Sequence, residues 1–599
     1  MIFKEYQKQL AEVQDKPMIM KDVNNFSDIN YSLYISTQVT ITDQEMKTYD
    51  FQPVKGKIIA SVMFCQRAAG KGKNIMTLYD ENGEAAISIW CEGMAILSYD
   101  GKVRKQICRY KDESWFAVWV SLDTNTHTYD VCVDGRKCLS QAAFMNAVDE
   151  IASYQTHSRS GELREKHIFV YANPVQSVHT AAGGRKIYDV KNLGITADGK
   201  TVVTEQLQKV IDECSKDGGG IVYFQEGVYL SGMIQIKKGV ELYLENEAVL
   251  KGVIDREAYP AMISQVTENW NMTNQGPQRA LIYADGVQDI VIQGGGTIDG
   301  SGDFPGDYGS ESDRVSGILL VGCNNSKILN LYIQDAGMWT VPLVECDDFY
   351  MRDVNIYSYW FPNRDGIDLC DCHNVLVENC YFTADDDAVC FKSGHERGCD
   401  NILVRQMMII STMANAIKFG TYSYGGFSNC TVCDCVVKDS RFCAMCVQVV
   451  NGGIAENLRF ERIEVQNTGS AFFIVVGDRA NLPSRGGHCI GSIQNIQFKD
   501  IHIESLLRNY GSYIAGLEQD GVEHKIKNIS FKNVKAAFRG GVMLKPAVPP
   551  EYPIGAYPES NMFGQLPASA FFIRHADNVR FEDCEITVLE EDSREKIVQ

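Results

Sequence analysis

The sequence predicts an all-β protein in which an N-terminal jelly-roll sandwich precedes a right-handed parallel β-helix. Two observations carry this expectation. Val, Ile, Phe and Tyr recur in short alternating runs between turns, in a chain with 51 Gly against 15 Pro. The second part of the chain also repeats one short phrase, at first every 27 or 28 residues and then with longer insertions in some copies, which marks a solenoid. At 599 residues the chain is long enough for two or three domains, and the boundary is expected near residue 180, giving units at 1–180 and 181–599.

Within the first unit, Lys57 to Met63, Ala85 to Cys91, Trp115 to Leu122 and Tyr129 to Asp134 alternate apolar and polar residues. Turn sequences such as Asp80-Glu81-Asn82-Gly83 and Asp134-Gly135 separate them, as in an antiparallel sandwich. Trp115 and Trp119 lie four apart on one strand face, a spacing read as core in preference to sugar-stacking platforms. A helix is expected over Leu139 to Tyr154. The stretch Ser114 to Cys138 resembles the end of a concanavalin-like or laminin G-like jelly roll.

The repeated phrase has the form Asn-apolar-x-apolar and starts at Asn374, Asn401, Asn429, Asn457, Asn495, Asn528 and Asn578. Weaker copies extend it backwards to Asp289, Lys327 and Phe349. The copies have period 2 and β-branched residues, which excludes helical solenoids. A leucine-rich repeat is excluded because its spaced leucines are missing. In a β-helix, coils stack at about 4.8 Å, so the Asn column is assigned to amide stacking or left-handed turns, without catalysis. Thr204 to Asp217, with Val203, Leu207, Val210, Ile211 and Cys214 on one face, is expected to cap the first coil, Thr204 serving as N-cap and Gly218-Gly219-Gly220 as the stop.

Composition limits the partners. Lys+Arg is 57 against 77 Asp+Glu, a net charge of −20 that repels nucleic acid and anionic membrane surfaces. No apolar run reaches the roughly 18 residues of a spanning helix. The N-terminal MIFKEYQKQLAEVQDK lacks an apolar signal-peptide segment, so a cytoplasmic location is expected. Twenty cysteines then read as reduced core residues. A zinc site at Cys430, Cys433 and Cys435 is disfavoured, because strand alternation turns the first sulfur away from the other two. The oligomeric state is not predicted.

Residues 361 to 394 contain the unusual chemistry. Asp385, Asp386 and Asp387 are consecutive, and Asp365 lies 21 and 22 residues before the last two, about one coil away. Stacked carboxylates repel one another and raise at least one pKa, so one acid stays protonated beside an ionised neighbour. Glycoside hydrolysis needs that pair of states. Spacing alone leaves three readings open: catalysis, a hard-cation site, and a solvated acidic turn.

Residues 183 to 252, NRDGID (363 to 368) and DDDAVCFKSG (385 to 394) resemble family 28 glycoside hydrolases, the polygalacturonase-like enzymes. The resemblance implies a metal-free, cofactor-free inverting hydrolase. It assigns Asp386 as general acid and Asp365 with Asp387 as the pair that activates water. Two family motifs are absent: Ala414-Asn415-Ala416 replaces Gly-His-Gly, and Cys446-Val447-Gln448 replaces Arg-Ile-Lys. The tail 557 to 575 is similar to that of a bacterial subgroup.

Arg364, Lys392, Asn415, Lys418 and Gln448 are the candidate substrate-binding residues. Lys418 lies 26 residues past Lys392, which suggests that the two stack; they are read either as substrate contacts or as structural ion pairs to the aspartates. Arg441 is also placed near the column, whereas His395 and Arg397 are expected to face solvent. The expected substrate is a short oligosaccharide or glycoside, plant-derived and pectic material included, with weak action on polygalacturonate because a lysine lacks the fork of arginine. The rival readings are a β-helix polysaccharide lyase or glycosyl transferase, and a non-catalytic carbohydrate-binding β-helix.

Overall fold

The computed structural model describes residues 22–67, 72–264, 279–302, 314–359, 362–480 and 489–599. The N-terminal stretch behind the expectation of location lies outside them. Two antiparallel six-stranded paths form the sandwich. One runs Tyr31–Ile35, Leu163–Ala172, Lys57–Gln66, Trp115–Asp123, Thr128–Val133 and Arg136–Ala143. The other runs Met46–Val54, Ile151–Ser158, Lys73–Tyr79, Ala85–Glu92, Ala95–Tyr99 and Arg104–Arg109. Ile58, Val62, Ile87, Val118 and Ile168 are among the residues that fill the space between them.

The helix expected at Leu139 to Tyr154 does not form. Arg136–Ala143 and Ile151–Ser158 are strands instead, because the Asp134-Gly135 turn folds the first back onto Thr128–Val133, and the second pairs with both Met46–Val54 and Lys73–Tyr79. Ladder pairing, on one side of the first strand and both sides of the second, overrides a weak helical periodicity.

The β-helix begins at Ile187–Asp189, which pairs in parallel with Gly220–Phe224. Helix Thr204–Lys216 covers the first coil with Leu207, Val210, Ile211 and Cys214, as expected. Thr204 is not its N-cap: that position is Val203, and the Thr204 hydroxyl instead accepts from the Gly232 amide at 2.7 Å. Gly219 has φ 100°, and a Cβ there would lie 2.5 Å from the Gly239 carbonyl oxygen, so the chain can leave the helix here only as glycine.

Each Asn of the repeated phrase has positive φ, from 54° at Asn401 to 60° at Asn578. Each amide also donates one coil back: Asn401 to Asn374 at 2.9 Å, Asn528 to Asn495 at 3.0 Å, Asn578 to Asn528 at 2.7 Å. Both structural explanations therefore hold together, since Asn tolerates the left-handed turn and its amide is donor and acceptor at once. Going backwards, the column passes through Asp348 and Asn325 to Asp289, not through Phe349 and Lys327. Inside, Phe460, Phe498, Phe531 and Phe581 stack with centroids 4.8 to 4.9 Å apart.

Trp115 and Trp119 are buried, but not inside the sandwich. With Ile59, Met63 and Tyr171 they pack on Tyr332, Tyr381, Met408 and Val436 of the β-helix, joining the two units. Ion pairs frame this contact: Lys438 with Asp134 at 2.7 Å, Arg164 with Glu504 at 3.0 Å and Arg352 with Asp28 at 2.6 Å.

Candidate active site

The site is built on one face of the β-helix from Val341–Val344, Ile367–Cys370, Val389–Ser393, Ile417–Ser423 and Cys443–Val449, neighbours in parallel register. Ile367, Val389, Ile417 and Met445 are aligned and point into the core. Two residues before each aligned position, Trp339, Asp365, Asp387, Asn415 and Cys443 form a column. Backbone bonds Thr340 to Asp365, Gly366 to Asp387, Ala388 to Asn415 and Ala416 to Cys443 lock it coil by coil. Asp365 therefore lies on Asp387, while Asp386 is one residue to the side. Asp385 turns away to the Thr412 hydroxyl.

Alternation then sets the outward side chains on the strands: Asp368, Lys392 and Lys418 point out between buried Leu369, Phe391 and Phe419. Lys392 and Lys418 do not stack on each other, because Lys418 is in register with Cys390, and Lys392 with Cys370. Each serves a different carboxylate. Lys392 Nζ is 2.8 Å from Asp365 Oδ2, contacts Asp368 as well, and lies 3.7 Å from the centre of the Trp339 ring. Lys418 Nζ is 2.8 Å from Asp387 Oδ2 and 2.9 Å from the Tyr557 hydroxyl.

Asn415 donates its backbone amide and its Nδ2 to Asp387 Oδ1, at 3.1 and 3.0 Å. Its Oδ1 is held by the Cys443 amide at 3.1 Å and the Cys446 thiol at 3.2 Å. Asp386 accepts from the Asn363 amide at 3.1 Å and the Asp387 amide at 2.9 Å.

These surroundings separate the carboxyl groups. Burial, reinforced by the charges of Asp365 and Asp387, pushes Asp386 up to about 7. Asp387 is buried too, but Lys418, Lys392 and Asn415 outweigh that and hold it below the ordinary carboxylate range. Burial and the neighbouring Asp368 raise Asp365 well above that range against the pull of Lys392, and burial lifts Asp368 to about 6. One face thus holds a protonated and an ionised carboxyl group side by side.

Of the other sequence candidates, Gln448 is buried and donates to the Pro558 carbonyl at 3.3 Å, which anchors the C-terminal segment. Arg364 is fully buried and faces the Tyr359 carbonyl, with Asp335 at 3.7 Å, away from the aspartates. Arg441 contacts Met413 and Phe442. His395 and Arg397 are half-buried where solvent exposure was expected, and Arg397 pairs with Asp347.

Sequence reasoning missed Asp368, Trp339, Tyr557 and Glu559. Asp368 stands in the quoted NRDGID, three residues past Asp365, and strand alternation would have found it. Trp339 is one coil before Asp365, in a segment without the motif. Tyr557 and Glu559 arrive from 140 residues away, where no spacing links them to the column.

Among the described residues, the ligand atoms close enough together to hold a metal come from Asp365, Asp387 and Cys390. Both carboxylates already bear a lysine ammonium, and burial raises the Cys390 thiol, so this donor set does not suit a cation. The Cys430, Cys433 and Cys435 sulfurs do diverge, but not as expected. Cys430 and Cys435 point into the core and Cys433 outward, because the left-handed turn at Asp434 shifts the alternation by one. Among the described residues no cysteine is in a disulfide.

The family model described as Glycosyl hydrolases family 28 matches residues 246–541, and one described as rhamnogalacturonase A/epimerase, pectate lyase-like matches 187–252. A probable polygalacturonase of Vitis vinifera is 26% identical over 299 residues, covering 47% of this chain and 60% of the relative. The chain thus spans about three fifths of that relative's length. A hyperthermoactive exopolygalacturonase from Thermotoga maritima superposes with a TM-score of 0.54 at 19% identity, over 68% of this chain and 95% of that one. The Yersinia enterocolitica family 28 exopolygalacturonase gives 0.50 at 14%, over 91% and 99%. With its paired aspartate motifs on adjacent coils of a parallel β-helix, residues 246–541 form a glycosyl hydrolases family 28 domain.

Proposed function

We propose that this protein hydrolyses an O-glycosidic bond of a short oligosaccharide or glycoside with inversion at the anomeric carbon. The observation that carries the reading is the split between Asp386, protonated up to about 7, and Asp387, held ionised by Lys418 and Asn415. Asp386 donates its proton to the leaving oxygen. Asp387 takes a proton from the attacking water, and Asp365 orients that water from the next coil. The family match supports the reaction class, and the lysines seated on Asp365 and Asp387 favour hydrolysis over a Ca²⁺-dependent lyase. The split pKa values favour turnover over a purely binding role.

Both lysines are neutralised by carboxylates and Arg364 is turned away, which favours a neutral or mixed glycoside. One observation favours a uronide instead. The Arg479 guanidinium lies 4.8 Å from the Tyr557 ring centre and bonds the Thr421 hydroxyl at 2.8 Å, with no carboxylate in ion-pair range among the described residues. A panel of aryl glycosides and pectic oligosaccharides decides. Chelator-insensitive release of reducing sugar supports hydrolysis, and sugar binding without turnover would sink it. We further place the protein in a reducing, cytoplasmic compartment, a reading supported by its free buried thiols, away from nucleic acid and membranes.

A further inference from the structure

The C-terminal segment around Tyr552–Ser560 has no regular structure, yet it is tied across the active face at several points. The Gln448 side chain holds the Pro558 carbonyl and the Gly555 amide bonds the Asp478 carbonyl at 2.9 Å, while the Tyr552 hydroxyl braces the strap internally at the Ala556 carbonyl. This strap carries Glu559 to the same two donors that serve Asp387. Asn415 Nδ2 lies 3.1 Å from Glu559 Oε2 and 3.0 Å from Asp387 Oδ1. Lys418 Nζ lies 2.8 Å from Asp387 Oδ2 and 3.9 Å from Glu559 Oε1.

The four groups close a ring of two acceptors and two donors. The Asn415 amide cannot flip out of it, because its oxygen is fixed by Cys443 and Cys446. Lys418 is further steadied by the Tyr557 hydroxyl of the same strap. The Glu559 side chain keeps 19% of its surface exposed, so it is not part of the core.

We propose that Glu559 is a positioning residue of the active site: carried in on the strap, it holds Lys418 and Asn415 onto Asp387 and brings a further carboxyl group within electrostatic reach of Asp386. The proposal rests on the hydrolytic reading above. The charged and titratable groups around Glu559 are Lys418, Asp387, Asp386, Tyr557 and Cys446. Those around Asp386 are Asp365, Asp387, Lys418 and, across the ring, Glu559. Glu559 itself is pushed up to about 7, first by burial and also by Asp387, against Lys418.

Replacing Glu559 by an amide removes an ionisable carboxyl group from the ring, so both Asp386 and Asp387 release their protons more readily. The expected result for Glu559→Gln is a fall in kcat of about 2- to 6-fold at neutral pH. The basic limb of the pH–rate profile should move about half a unit to one unit lower. Glu559→Asp, which keeps the carboxyl group, should restore most of the limb position.

A structural role alone would lower Tm and leave the limbs in place, and that outcome overturns the proposal, as does wild-type kcat in Glu559→Gln. A second readout separates this from failure of the hydrolytic reading. In protein labelled with ¹³Cγ-aspartate, the resonance lost in Asp386→Asn identifies Asp386, and its titration midpoint should fall in Glu559→Gln. If the wild type cleaves no glycoside, the hydrolytic reading fails, while an unchanged Asp386 midpoint overturns the role of Glu559.

Discussion

Two columns run along this β-helix, and each stacks like side chains on adjacent coils: asparagines in one, Asp365 on Asp387 in the other. In the asparagine column each amide can donate and accept, so most side chains bond the Asn one coil back, with Asn429 turning to Asp400 instead, and no cationic partner is needed. In the aspartate column the carboxyl groups of Asp365 and Asp387 have no amide to alternate donor with acceptor, and their stacking is tolerable because Lys392 and Lys418 enter from the next register positions. The same geometry is stabilising for amides and destabilising for carboxylates. A column that needs two buried ammoniums to exist is kept for its chemistry. A column that needs nothing is kept for the fold.

The largest effect should come from the acidic column. Asp386→Asn is expected to lower kcat by about 10² to 10⁴ with little change in KM, because proton donation acts only in the transition state. Substrates with very good leaving groups should suffer less. Wild-type turnover in this variant would remove Asp386 from the mechanism. Asp365→Asn and Asp387→Asn should each suppress hydrolysis, and the double variant should lose less than the product of the two if both handle one water.

Lys418→Met leaves Asp387 buried beside an empty position. The expected cost is about 3–5 kcal/mol, read as a lowered midpoint in urea. An unchanged midpoint would mean that the column tolerates bare carboxylates and would erase the contrast between the two columns.

The proton split gives a pH profile with a sign. Turnover needs Asp386 protonated, so rate should fall as pH rises through about 7, while Asp387 stays ionised well into the acidic range. Stability follows the same group. The folded protein keeps a proton on Asp386 up to about 7 that the unfolded chain releases near 3.8, so folding weakens as pH rises across that window. Asp386→Asn should therefore raise Tm above neutral pH while lowering kcat. A lowered Tm there would contradict the assigned protonation.

The smallest effect belongs to the other column. Asn457→Ala loses its amide bond to Asn429 and puts a methyl side chain at φ 56°, which should cost about 1–2 kcal/mol. Its kcat should match wild type, since no residue of the ladder reaches the aspartates. Reduced turnover at full folding would blur the distinction drawn here.

The sequence revealed whatever repeats. The Asn phrase located the coils, and the 22-residue step from Asp365 to Asp387 placed one carboxylate on the other. It failed where position depends on register finer than a coil. Lys392 and Lys418 are 26 residues apart, yet they differ by two places along the strand and serve different acids. It failed again for Glu559, because the strap has no periodicity and reaches the site only through tertiary contacts. Leu139 to Tyr154 shows the same limit in the sandwich, where local pattern suggested a helix and neighbouring strands decided otherwise.

Trp115, Trp119 and Tyr171 press the sandwich onto the flank of the solenoid among buried charge pairs. A β-helix freed of its first 180 residues would bare Tyr332, Tyr381, Met408 and Val436 as one oily patch and leave Lys438 without Asp134. Such a fragment would self-associate, and the two halves of the intact chain should melt in a single calorimetric transition.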